Sequence, residues 1–210
     1  KLLHTPDQFD RLPIHYMVSL QFDQDKKRWR NPKHPTKFCL LSALFDLEKR
    51  NLKILNQYPE GASFLVQDPY GHLPANQAVR FGSDHMVEML TLTDATNVIA
   101  ATTGKSGYLA LHRALTISYQ ISKRITIVEL LLKAKRERGF EDREYHNKII
   151  KSVRTPDPKG YYPLHLALHF SPSKRIIQLL LQADARETGT SKIISTPGPD
   201  GFLPLHTAIV

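Results

Sequence analysis

The chain has 210 residues, enough to bury a sizeable core, and 41% of them are hydrophobic, an ordinary share for a water-soluble fold. No stretch approaches the roughly 20 successive apolar residues of a membrane-spanning helix, and the single cysteine, Cys39, excludes an intrachain disulfide and any zinc site built on two of the chain's own cysteines. One cysteine fits an intracellular, reducing compartment (cytoplasm, nucleus or organelle), and a net charge of +9 (29 Lys and Arg against 20 Asp and Glu) points to an acidic protein, nucleic acid or an anionic surface as partner.

Read in chain order, one eight-residue pattern keeps returning. It is met first in a weak form, Asp10-Arg11-Leu12-Pro13-Ile14-His15-Tyr16-Met17, and again as Gly71-His72-Leu73-Pro74-Ala75-Asn76-Gln77-Ala78. Gly107-Tyr108-Leu109-Ala110-Leu111-His112-Arg113-Ala114 follows, with Ala110 in the proline slot. Gly160-Tyr161-Tyr162-Pro163-Leu164-His165-Leu166-Ala167 and Gly201-Phe202-Leu203-Pro204-Leu205-His206-Thr207-Ala208 are the clearest copies. Glycine can take a positive φ and close a tight turn. Proline suits the first turn of a helix, where its missing N–H costs nothing. Leucine and the small alanine three residues on share a helix face, and alanine admits a close neighbour. Each copy is therefore predicted to be a turn followed by a short helix.

A second apolar helix should follow each motif. Its first apolar residue comes nine positions after Ala43, Ala78 and Ala167, at Leu52, Val87 and Ile176. After Ala114 the matching run, Ile127-Val128-Glu129-Leu130-Leu131-Leu132, is set back by about five residues, which should lengthen the first helix or the turn after it. The Ala43 unit, Phe38-Cys39-Leu40-Leu41-Ser42-Ala43, lacks proline and histidine but keeps the spacing and is followed by the turn Gln67-Asp68-Pro69-Tyr70-Gly71. The Met17 unit runs into a polar stretch at Lys26 and reads as a half-repeat, an unusual cap or a split repeat. Thr5-Pro6-Asp7, Thr155-Pro156-Asp157 and Thr196-Pro197-Gly198 open three turns. The mixed charges of residues 133–144 read as a helix end running into a solvated loop. Val210 falls partway through the last motif helix, so the native chain is expected to continue, or another molecule to cover that end.

These repeats resemble the ankyrin repeat, whose signature is Thr-Pro-Leu-His-x-Ala after a glycine-containing hairpin. The resemblance covers nearly the whole chain. It implies an all-α fold: an ankyrin-like solenoid of stacked helix pairs joined by turn fingers, one array over residues 1–210. About five repeats are expected, the first and the third-to-fourth interrupted by insertions and the last truncated. It further implies that His15, His112, His165 and His206 hydrogen-bond backbone at the repeat junctions. Arg11, His72, Tyr108, Tyr161 and Phe202 would lie near the exposed hairpins and the concave face, where they either contact a partner or only pack on the neighbouring finger. The chain departs from the family in the slot before proline, where Leu12, Leu73, Leu109, Tyr162 and Leu203 replace threonine. The helix-capping hydroxyl is lost, and an apolar ridge between fingers is expected in its place.

Candidates for chemistry are few. Gly104-Lys105-Ser106 lacks the glycine that a phosphate-binding loop needs five residues earlier, where Ile99 stands. His165 and His169 share a helix face, but Leu166 replaces the glutamate of the zinc-protease pattern, so no metal or cofactor is expected. Lys26, Lys27, Arg28, Arg30 and Lys33, with Lys37, surround the sole tryptophan, Trp29, and could contact phosphate and stack on a base. The same run also reads as a solvated insertion. The expected function is that of a non-catalytic scaffold or adaptor holding another protein, as a monomeric array or a subunit of a complex. Two alternatives stand beside it: a structural subunit of a ribonucleoprotein or membrane assembly, and the targeting repeats of a larger enzyme.

Overall fold

Proline opens three of the four motif helices. In the computed structural model of the chain, which describes residues 5–12, 15, 66–82, 84, 86–88, 90–91, 106–118, 120–133, 143–185 and 189–209, these helices are α1 (Pro74–Arg80), α2 (Ala110–Thr116), α5 (Pro163–Phe170) and α7 (Pro204–Thr207). Between them lie α3 (Ile121–Lys133), α4 (Arg143–Arg154) and α6 (Lys174–Ala185), and a 3-10 turn at Ile193–Ser195 leads to the last finger. Residues 84, 86–88 and 90–91 are also helical, and no β-strand occurs among the described residues. Residues 13–14 and 16–17 of the Met17 unit, the Ala43 unit, the basic run with Trp29, Gly104-Lys105, residues 134–142 and Val210 lie outside the described residues.

The motif helices form a row in which α1 packs on α2, α2 on α5 and α5 on α7. Behind it, α3 packs on α2 and α6, and α6 also rests on α5. The small residue of each motif lets the row close: Ala78, Ala114 and Ala167 are fully buried. Between the layers sit Met86, Leu90, Leu115, Ile127, Leu131, Ile176 and Leu180, all buried. Each such side chain contributes roughly 1.5–3 kcal/mol of hydrophobic stabilisation.

Three of the turns before the motifs have a cause that the glycine alone does not supply. Asp7 Oδ1 accepts the N–H groups of Phe9 and Arg11, both at 2.9 Å. Asp68 Oδ1 does the same for Tyr70 and His72 at 2.9 and 2.8 Å, and Asp157 Oδ1 for Lys159 and Tyr161 at 2.9 Å each. In all three turns the backbone N–H of this aspartate returns to the carbonyl four residues on. Gly198 keeps that backbone bond, to Phe202, without a carboxylate. The fingers then stack turn on turn. A Cβ on Gly160, whose φ is +92°, would lie 3.0 Å from Pro199 Cβ, so the bare glycine is what admits the next finger.

Two expectations need correction. Residues 143 and 144 are not loop: they begin α4, whose Ile149 and Val153 are buried and which packs on α6, so the interrupted repeat carries a third helix. Nor does the late apolar run after Ala114 mark a lengthened first helix, since α2 has 7 residues against 8 in α5; the turn after it, 117–120 against 171–173, is the part that is longer. The buried positions of α3 are Arg124, Ile127, Val128, Leu131 and Leu132. Those of α6 are Ile176, Leu179, Leu180, Ala183 and Asp184, at identical spacing. Arg124 thus occupies the slot of Ile176, and the true offset is one residue. The apolar run starts late because its first slot holds a charge.

Candidate functional site

In three motifs the histidine replaces the missing capping hydroxyl. Leucine before the helix offers no acceptor, but the histidine at the third helical position reaches back. His15 Nδ1 accepts the N–H of Leu12 at 3.0 Å, His112 Nδ1 that of Leu109 at 3.1 Å and His206 Nδ1 that of Leu203 at 3.1 Å. In His15 and His112 the proton therefore sits on Nε2, which donates to the next described finger, to Val66 O at 2.8 Å and to Thr155 O at 2.9 Å, while His165 Nε2 lies 3.1 Å from Phe202 O and its buried Nδ1 has no hydrogen-bond partner. His112 is fully buried, and this burial lowers its pKa against the opposing pull of the Thr155 carbonyl and Asp157. Leu12, Leu73 and Leu109 before these helices are buried, and Tyr162 and Leu203 half-buried. Asn76 stands in the histidine slot of α1 and is 3% exposed.

Of the residues just after the turns, Arg11 and Tyr161 reach the following described finger. The Arg11 guanidinium lies 5.7 Å from the ring centre of Tyr70 on the following described finger. The Tyr161 hydroxyl donates to Asp200 Oδ2 of the next finger at 2.5 Å, and this bond, ahead of burial and the charges of Asp200 and Asp157, raises the phenol's pKa. His72 lies against Asp68 and Tyr70 of its own turn. Tyr108, Tyr161 and Phe202 each stand 6.1–6.4 Å, edge to face, from the motif histidine of the same repeat.

A groove of about 810 Å³ runs across the last three fingers. The fingers supply Tyr108, Lys159, Tyr161, Asp200 and Phe202, and the motif helices α2, α5 and α7 supply Arg113, His165, His169, Phe170 and His206. Three of the five post-turn residues are therefore gathered on one concavity; Arg11 and His72 are not among its lining. Phe202 is 55% exposed and Phe170 48%, so the groove keeps two phenyl rings open to solvent. Its two carboxylates are engaged, Asp157 by backbone N–H groups and Asp200 by Tyr161. Its cations are Arg113, stacked 4.6 Å from the Tyr108 ring centre, and Lys159, and among the described residues neither is ion-paired.

Sequence reasoning passed over Arg113, Lys159 and Phe170. Each sits at a position that varies between the copies, and only the packing of successive fingers and motif helices brings them together. Among the described residues no three His, Cys, Asp or Glu side chains converge as a metal site would require, and no helix is long and apolar enough to cross a membrane. Comparison with known proteins adds no name: no family model matches the chain, and no curated protein matches it.

Proposed function

We propose that the chain is a non-catalytic, ankyrin-like scaffold that holds another protein in the groove across its last three fingers. The observation that carries this reading is the convergence of Tyr108, Tyr161 and Phe202, one from each successive finger, on one open concavity with Phe170 at its edge. Aromatic side chains are enriched where interfaces are strongest. A row of equivalent slots at repeat spacing suits an extended polypeptide better than a compact ligand.

Purification from the native source on immobilised wild-type protein, beside the Tyr161→Ala/Phe202→Ala variant, tests it. A partner retained by the wild type and lost by the folded variant supports the groove. Retention by both places binding elsewhere. The competing reading, phosphate contact through the basic insertion, draws on the net charge of +9. It calls for binding that falls steeply between low and moderate salt.

A further inference from the structure

The groove carries a charge preference that its shape alone does not reveal. Its carboxylates are satisfied within the fold: Asp157 is 6% exposed and caps its own turn, and Asp200 accepts the Tyr161 hydroxyl. Its cations are available. Lys159 stands exposed at the finger tip, and Arg113 is held by one face on Tyr108. His169 and His206 on the same wall add no negative charge. Beside the cations lie the half-exposed rings of Phe170 and Phe202. Two carboxylates and two cations line the groove, but the carboxylates are already hydrogen-bonded within the fold, so an occupant that brings carboxylates can meet Arg113 and Lys159 while its apolar side chains cover the phenyl rings. The excess of positive charge on the whole chain steers the same kind of partner towards it.

We propose that the groove binds an extended acidic segment of a partner protein in which Asp or Glu alternates with large apolar residues, its carboxylates at Arg113 and Lys159 and its apolar side chains on Phe170 and Phe202. This rests on the scaffold reading above and narrows the class of partner.

Fluorescence anisotropy with a labelled decapeptide alternating Glu with Phe and Leu, and with its Gln isostere, tests the proposal. The acidic peptide should bind about tenfold more tightly, with the margin shrinking between about 50 and about 300 mM salt. Lys159→Gln and Arg113→Gln should each weaken the acidic peptide about three- to tenfold and leave the Gln peptide unchanged. Phe202→Ala should weaken both peptides alike. Lys159 is exposed, so its variant keeps the test valid even if the loss of the Arg113 stack perturbs α2. Equal binding of the two peptides, still sensitive to Phe202→Ala, overturns the acidic preference and leaves the scaffold reading standing. Binding of neither peptide overturns the proposal, and binding insensitive to Phe202→Ala counts against the groove itself. A labelled ten-nucleotide oligothymidylate that binds through Lys159 while the peptides do not would assign the groove to nucleic acid and overturn the proposal.

Discussion

The α2–α3 pair and the α5–α6 pair occupy equivalent places and bury equivalent positions, yet they put their charges at opposite ends. In α3 the first buried slot holds Arg124 and the last Leu132; in α6 the first holds Ile176 and the last Asp184. Each charge meets backbone groups of the matching polarity. Arg124 lies where helices end. Its guanidinium donates to Phe170 O at 3.0 Å, and also to Ile117 O and Ser171 Oγ, while Ser171 Oγ donates to Leu115 O at 3.0 Å. Asp184 lies where one begins. It accepts N–H groups of Lys192 at 2.5 Å and Ile193 at 3.0 Å, the Ser191 hydroxyl at 2.9 Å and Arg154 Nε at 2.5 Å. Burial alone would raise the pKa of Asp184, but these four donors outweigh it and hold the carboxyl below its usual value. A core slot thus accepts a charge when the adjoining loop presents the complementary end of a helix.

The comparison can be broken first at Asp184. Asp184→Ala strands the N–H groups of the 3-10 turn and loosens the last finger, and should cost about 3 kcal/mol in urea denaturation. Little of that belongs to the Arg154 pair itself, because Arg154 is 30% exposed and screened by water. Arg124→Ile comes next. It installs the side chain of the equivalent slot but leaves the carbonyls of Ile117 and Phe170 without their donor, for a loss of about 2 kcal/mol. A neutral result would show that the slot is merely apolar.

Acid sharpens the comparison. His112 and Asp184 both have folded-state pKa values below their ordinary ones, so the unfolded chain binds more protons in both titration ranges. Stability should be complete above pH 6.5 and fall as His112 takes up a proton below it. A second fall should begin below pH 3.8, where Asp184 titrates together with Asp68, whose pKa is also lowered because hydrogen bonds from His72, Gln77 and Tyr70 overcome its burial. Thermal melts from pH 7.5 to 3 would show a single step or none if either group were not linked to folding.

The smallest effect separates two glycines. Gly160→Ala meets both the positive φ and the Pro199 contact and should cost about 2 kcal/mol, while Gly201→Ala, with no atom within 4 Å of the new Cβ, should cost only the backbone strain of about 1 kcal/mol. Equal losses would mean that finger stacking adds nothing.

The motif helices were legible because each local cue (glycine, proline, leucine, alanine at fixed offsets) encodes a short-range steric fact. The aspartate that builds three of the turns was half legible: two Thr-Pro-Asp openings were visible, but the double acceptance by Oδ1 was not. Helix α4 was missed because a mixed-charge stretch hides its apolar stripe until Ile149 and Val153 meet α6. The α3 register was misread because an apolar count passes over a buried arginine.

By itself the sequence determined that this chain turns and then enters a helix at the four described copies of one pattern, since those preferences are settled within a few residues. Only the tertiary structure decided that Arg124 and Asp184 belong to the core, and that Arg113, Lys159, Phe170 and Phe202 share one groove. Both outcomes depend on groups beyond the reach of the local pattern, from the loop that follows a helix to residues tens of positions away, and no local spacing specifies which carbonyl, amide or ring will be waiting there.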